Sequence, residues 1–346
     1  MGLCGGGTCP CQEMRRWVRF RGMKVIPILF CMLMTWTAFG VTPDGRRKLV
    51  LIAGKPSHPS GMHEFRAGTM LLEKCLAGVQ GLVVERHEMG WVKDEATFSD
   101  ADAVVIYADG GKGHPAVQGD HLATLRKLVE KGVGFGCMHY GVEVEPGLGG
   151  AEFKQWIGGH YETLFSCNPL WEPMFTTFPV HPITRGVKPF QILDEWYINM
   201  RFRPAFRDGI AEAQDAGTKF VPILVATPSE AVRNGPYVYP KGPYAHIQAE
   251  KGASEATMWS VERPDGGRGF GFTGGHFHKN WGNADFRKTV LNALLWVTKV
   301  DVPGGGVEST VTEEDLGKNL DPKSAPKTKP AANAGGGANN AVSAAR

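Results

Sequence analysis

Between Gly132 and Gly141 the chain reads Gly-Val-Gly-Phe-Gly-Cys-Met-His-Tyr-Gly. A short apolar, glycine-rich run that stops in a sharp turn is the pattern of a parallel strand buried on both faces. In an open parallel α/β sheet ligands bind beyond the carboxyl ends of such strands, which places His139 on the functional edge. A nucleophile on a strained strand-to-helix turn needs small residues two positions before and after it. Around Cys137 those flanks are Phe135 and His139, and around His139 they are Cys137 and Gly141. The turn therefore presents an imidazole, not a thiolate. The plainer alternative is that Cys137 and His139 only pack at a strand end.

The rest of the chain supplies the sheet that this strand requires. Arg47 to Gly54 is a continuous apolar run closed by glycine and predicts a first buried strand. The loop Lys55 to Glu64 follows, carrying His58, His63 and Glu64, and a helix is expected from about Glu64 to Leu76. Strands are expected over 81–87 and 102–108 and a helix over 116–131, whose Leu122, Leu125, Leu128 and Val129 keep helical spacing. This rhythm predicts a doubly wound, mostly parallel α/β sheet. The loop Asp109 to His114 lacks the Lys-Ser/Thr pair of a phosphate cradle and reads as a flexible strand-end loop. Glu152 to Gly159 reads as a helix stopped by paired glycines, delivering His160 beyond its end. From Trp171 the pattern turns strand-rich, with a hairpin around the turn 262–268, and a last helix is expected over 284–300.

Charge and termini narrow the function classes. The formal net charge is +3, but Arg15, Arg16, Arg19, Arg21 and Lys24 against Glu13 put +4 into residues 1–40, leaving −1 for the remainder. No basic surface is implied, and nucleic acid is not an expected partner. The basic start, the apolar run Val25 to Met34 and the small-x-small site Ala38-Phe39-Gly40 together read as a secretory signal peptide. Mature protein would begin near Val41, periplasmic or secreted, with no stable membrane span after signal removal. Met23 is an alternative start, and an uncleaved N-terminal anchor is the competing reading. Cleavage would leave Cys75, Cys137 and Cys167, which encode no disulfide framework. The expected division is a leader over 1–40, an α/β domain over 41–302 and a disordered low-complexity tail over 303–346.

At His181-Pro182-Ile183-Thr184-Arg185-Gly186 and Asp194-Glu195-Trp196-Tyr197, with Gly158-Gly159-His160 and Gly274-Gly275-His276, the chain resembles the trehalose-utilisation (ThuA-like) family. The resemblance spans about Leu49 to Val300. It implies a flavodoxin-like α/β sheet of the class I glutamine amidotransferase type and a link to carbohydrate catabolism. It also sets His139 where an amidotransferase has its nucleophilic cysteine, and His276 where it has the histidine of the catalytic pair. Without a thiol at the turn, the amidotransferase route to ammonia is not expected here.

These strands would gather a distinctive set of side chains on one edge. His139, Glu195, Glu64 and His276 are the expected acid/base groups. His63, His139, His160 and His276, from separate loops, are the expected ligands of zinc or another divalent metal. His58, Tyr140, Asp194, Tyr197, Trp281 and His278 are the expected contacts to a small carbohydrate, the aromatic rings by stacking. His87, His114 and His121 stand without company and are set aside. The function expected is an exported enzyme acting on a keto-glycoside or related sugar. The alternative is a non-catalytic carbohydrate-binding protein on a degenerate amidotransferase-like fold.

Overall fold

Seven strands form one sheet whose order places the glycine-rich strand near its centre. They are β1 (Arg47–Ala53), β2 (Leu82–His87), β3 (Ala103–Tyr107), β4 (Gly134–Met138), β5 (Lys219–Ala226), β6 (Glu255–Glu262) and β7 (Arg268–Phe272). The order is β5-β6-β7-β4-β3-β1-β2. β2, β1, β3, β4 and β7 run parallel, while β5 and β6 continue the sheet antiparallel. The hairpin expected around residues 262–268 is present as β6–β7, and with β5 it adds strands to the parallel sheet. This computed structural model describes Thr42, residues 44–203 and 217–323, and the backbone of 206–207 and 210–211. The leader over 1–40 lies outside the described residues.

Side-chain alternation along β1 shows why the sheet is covered on both faces. Leu49, Leu51 and Ala53 join a core with helices α1 (Phe65–Leu76) and α4 (Ala284–Val297). Val50 and Ile52 join a second core with α2 (His121–Glu130) and α3 (Ala151–Trp156). α2 starts later than the spacing suggested, because Pro115 to Val117 forms its own short turn. The glycines of β4 have a packing cause: a Cβ on Gly136 would stand 2.3 Å from the Phe270 ring of β7.

Before β5, residues 159–202 are tied by short antiparallel pairs. The strand-rich pattern after Trp171 takes the form of short pieces, among them Phe190–Gln191 and Asp194–Glu195, each paired to a different segment. Asp194–Glu195 pairs with Leu170–Trp171, and that pairing carries Glu195 toward the sheet edge.

The α/β unit continues past residue 302. Val302, Val307 and Leu316 are buried in the α1/α4 core, and α5 (Glu313–Gly317) starts with a capping box between Thr312 and Asp315. The tail boundary at 303 is thus set too early. Glycine-rich composition around 304–306 hid a segment that spends its few apolar side chains on the core. Residues 324–346 lie outside the described residues. Among the described residues no helix is long and apolar enough to cross a membrane.

Candidate metal centre

Parallel strands bring their carboxyl ends to one edge, and the site is assembled from the loops that leave it. His58 and His63 follow β1, Asp109 follows β3, His139 follows β4 and His276 follows β7. Glu195 reaches the same point from the segment before β5. Three of these histidines, His58 (φ 60°), His63 (φ 47°) and His139 (φ 52°), adopt the left-handed backbone region, which side-chain-bearing residues enter rarely and at a cost. For His139 this conformation ends β4 and starts the 3-10 turn His139–Val142, so the ring stands on the edge as a nucleophile would.

His63, His139, His276 and Glu195, all buried, direct donor atoms at one point. His63 Nε2 lies 3.0 Å from His139 Nε2 and 3.0 Å from His276 Nδ1, and the last two are 3.3 Å apart. Glu195 Oε2 lies 2.6 Å from His276 Nδ1 and 3.9 Å from His139 Nε2. Ligand atoms about 2.0–2.1 Å from one shared ion stand about 2.8–3.0 Å from their neighbours in octahedral and about 3.3–3.4 Å in tetrahedral geometry, so the three nitrogens have ligand spacing.

Second partners fix which nitrogen carries the proton. His139 Nδ1 lies 2.9 Å from the Thr273 carbonyl, an acceptor only, so Nδ1–H donates and Nε2 keeps its lone pair. His63 Nδ1 donates to Asp109 Oδ1 at 2.8 Å, which leaves His63 Nε2 in the same state. Burial, reinforced by the neighbouring imidazoles, holds both rings well below the ordinary histidine pKa. Two neutral rings thus face each other lone pair to lone pair at 3.0 Å. A proton on His276 Nδ1, which is also 2.6 Å from Glu195, can be donated to only one of these lone pairs at a time, whereas a cation shared by the three nitrogens would engage both. The carboxylate–histidine pair Asp109–His63 is the outer support that metal-bound imidazoles commonly have.

The other expected site residues fall into three groups. His160 is not in the cluster: its Nδ1 sits between the carbonyls of Val144 and Tyr161, and its ring is packed beneath Gly150. The glycine pair did deliver it, but into the ladder with Arg201. Glu64, fully buried, accepts from the backbone N–H groups of Gly61 and Asp321 at 2.9 Å each, so both carboxylate oxygens are used structurally. Asp194 is likewise internal, accepting from the N–H groups of Gly275, His276 and Glu195 and from Asn280 Nδ2, which pins the turn that carries His276. Trp281 packs fully buried between Tyr107 and Phe286 and offers no face for a sugar. Tyr197 is buried against the His139 ring. His278 is buried on the Glu64 side, where burial pushes its pKa down to about 4.

His58 and Tyr140 remain at the mouth. The exposed His58 ring stacks on His63 at 3.5 Å between centroids, and half-buried Tyr140 lies 6.0 Å from the same ring. Three residues that sequence reasoning did not select complete the surroundings. Asp109 obeys the same strand-end rule as the histidines. Asn168 Nδ2 donates to Glu195 Oε1 at 2.6 Å. Glu143, at the end of the His139 turn, accepts from Thr163 Oγ1 at 2.9 Å, and burial pushes its pKa up to about 7 despite that bond.

The class of protein is a mixed α/β one: a seven-stranded, mostly parallel sheet whose strand-end loops converge three imidazoles and a carboxylate. Residues 50–297 match the trehalose-utilisation (ThuA) family, and the chain belongs to it. Among solved structures, a ThuA-like protein from Bacteroides uniformis superposes with a TM-score of 0.51 at 14% identity, covering 74% of this chain and 93% of that one. A ThuA-like protein from Parabacteroides merdae gives 0.48 at 16% identity, covering 78% and 94%. No curated protein sequence matches the chain. The family carries a carbohydrate-related role with it.

Proposed function

We propose that the chain is an exported carbohydrate-processing enzyme that uses one divalent cation at His63, His139, His276 and Glu195 to act on a sugar carbonyl or glycosidic carbon. The observation that carries this reading is the convergence of His63 Nε2, His139 Nε2 and His276 Nδ1 to within 3.0–3.3 Å of one another, beside Glu195, in a buried site. A cation there would polarise a carbonyl oxygen or lower the pKa of a bound water. Three histidines and one carboxylate suit zinc and its neighbours in the divalent series.

The chain's own groups divide the remaining work. Asp109 and the Thr273 carbonyl hold His63 and His139 in the ligand tautomer. Asn168 orients Glu195 by binding the oxygen that faces away from the cluster. Glu143, with its pKa raised to about 7, is suited to give and take a proton near neutrality. His58 and Tyr140 line the mouth and supply hydroxyl and ring contacts. Export is supported by the basic, apolar and small-x-small start of the chain.

The test is incubation of the zinc- or manganese-supplemented protein with a panel of keto-glycosides and free keto-sugars, followed by proton NMR. Conversion by wild type that disappears in His139→Ala is expected. Calorimetric binding of a panel sugar with no conversion at any metal supplement would replace the enzyme with a carbohydrate-binding protein.

A further inference from the structure

The C-terminal segment does something the site's chemistry does not by itself require. After α5 the chain crosses to the loop that carries His63. There Lys323 Nζ donates to the carbonyls of Met62 at 2.6 Å and His63 at 3.0 Å, and lies 3.3 Å from Glu64 Oε1. The Lys323 side chain is only 5% exposed, which is rare for lysine unless paired. Two residues earlier, the Asp321 N–H donates to Glu64 Oε2. The segment thus grips residues 62, 63 and 64 consecutively, from about 260 positions away in sequence.

Those contacts fall where the ligand loop is least able to hold itself. His63 sits at φ 47°, a conformation that persists only when its surroundings over-determine it. On one side the His63 N–H donates to the His276 carbonyl at 3.0 Å, tying one ligand to another. On the other side its carbonyl is held by Lys323 alone among the hydrogen bonds of the described residues. Glu64, fully buried at the start of α1, needs a counter-charge, and Lys323 provides it beside the helix N-terminus.

We propose that Lys323 is a positioning residue for the cation site: by clamping the Met62 and His63 carbonyls it sets where His63 Nε2 points. The inference rests on the cation reading above. Its signature is a change in the site's affinity and ligand field, not only in stability.

The experiment uses full-length protein loaded with Co(II), read by visible d–d absorption and by competition with a chelator. Lys323→Met should bind Co(II) about tenfold or more weakly and shift the d–d bands, within the range usual for lost outer-shell support. Lys323→Arg, which keeps the charge and the donors, should recover most of the affinity. Lys318→Met, altering an exposed i,i+4 pair with Glu314 on the same segment, should leave both readouts unchanged. If Lys323→Met does not fold, Glu64→Gln loosens the same clamp and should shift the bands in the same direction. Wild-type affinity and spectrum in Lys323→Met, whatever its melting temperature, would overturn the positioning role and leave the cation site standing. Absence of Co(II) binding by wild type would overturn both.

Discussion

His63 and His139 turn unprotonated Nε2 atoms toward each other across 3.0 Å, and each ring has its proton committed elsewhere, to Asp109 and to the Thr273 carbonyl. Buried lone pairs need a donor or a cation, and His276 Nδ1, 3.0 and 3.3 Å from the two atoms, either donates to one of them or shares a cation with both. The chemistry proposed for this chain follows from that relationship.

Asp109 touches no donor atom of the cluster other than through His63, so its loss should weaken the site without dismantling it. Asp109→Ala is expected to lower zinc affinity by about 10–100-fold. Competition with a chromophoric chelator reads this directly. Unchanged affinity would mean that the Asp109–His63 pair has no part in presenting the ligand.

Asp194 was read from the sequence as a sugar contact, and the structure makes it an internal clamp. Asp194→Ala would strand the N–H groups of Gly275, His276 and Glu195 in the interior. The expected loss is at least about 3 kcal/mol, since each unsatisfied buried donor costs about 1–3 kcal/mol. Urea unfolding of the metal-free protein measures it. A surface role would leave the midpoint within error of wild type.

The depressed pKa values of His63 and His139 set the pH dependence of the metal-free fold. Below the ordinary value of 6.5 the unfolded chain binds protons that these folded rings refuse, so the unfolded state holds more protons there. Stability is therefore full above that value and declines as pH falls through it. Thermal melts of the metal-free protein from about pH 7.5 to about pH 5 should show this decline, and His63→Gln with His139→Gln should flatten it.

Glu143 predicts a limb of opposite origin in the activity profile. Its carboxyl, raised to about 7 chiefly by burial, exists in both forms near neutrality. kcat/KM should bend near that pH, and Glu143→Gln should remove the bend along with most of the rate. A bend that survives the substitution would assign the proton transfer to another group.

The sheet was legible because its signals are local. Apolar runs ending in glycine or polar turns marked β1, β3 and β4, and helical spacing marked α1 and α2. The strand-end rule then found His63 and His139, and the Gly274-Gly275-His276 stretch that carries the family resemblance pointed to His276. Glu195 was legible as one of two adjacent acids in a stretch that carries the resemblance, but which of the two faced inward to the backbone depended on a pairing with Leu170–Trp171 that no period reveals. His160 failed for a similar reason: the Gly158-Gly159 turn set its position in the chain, while the ladder with Arg201 set the direction of its ring. Glu64 and Trp281 lay in promising loops whose side chains turned inward. Lys323 lay beyond a stretch whose composition argued against order, and its partners at residues 62–64 come from the opposite end of the domain.

Elemental analysis of the purified full-length protein tests the central claim most directly. One divalent cation per chain is predicted for wild type, with none in His63→Ala combined with His139→Ala. A wild-type protein that contains no metal, takes up neither zinc, manganese nor cobalt on addition, and keeps full activity in chelator would contradict it.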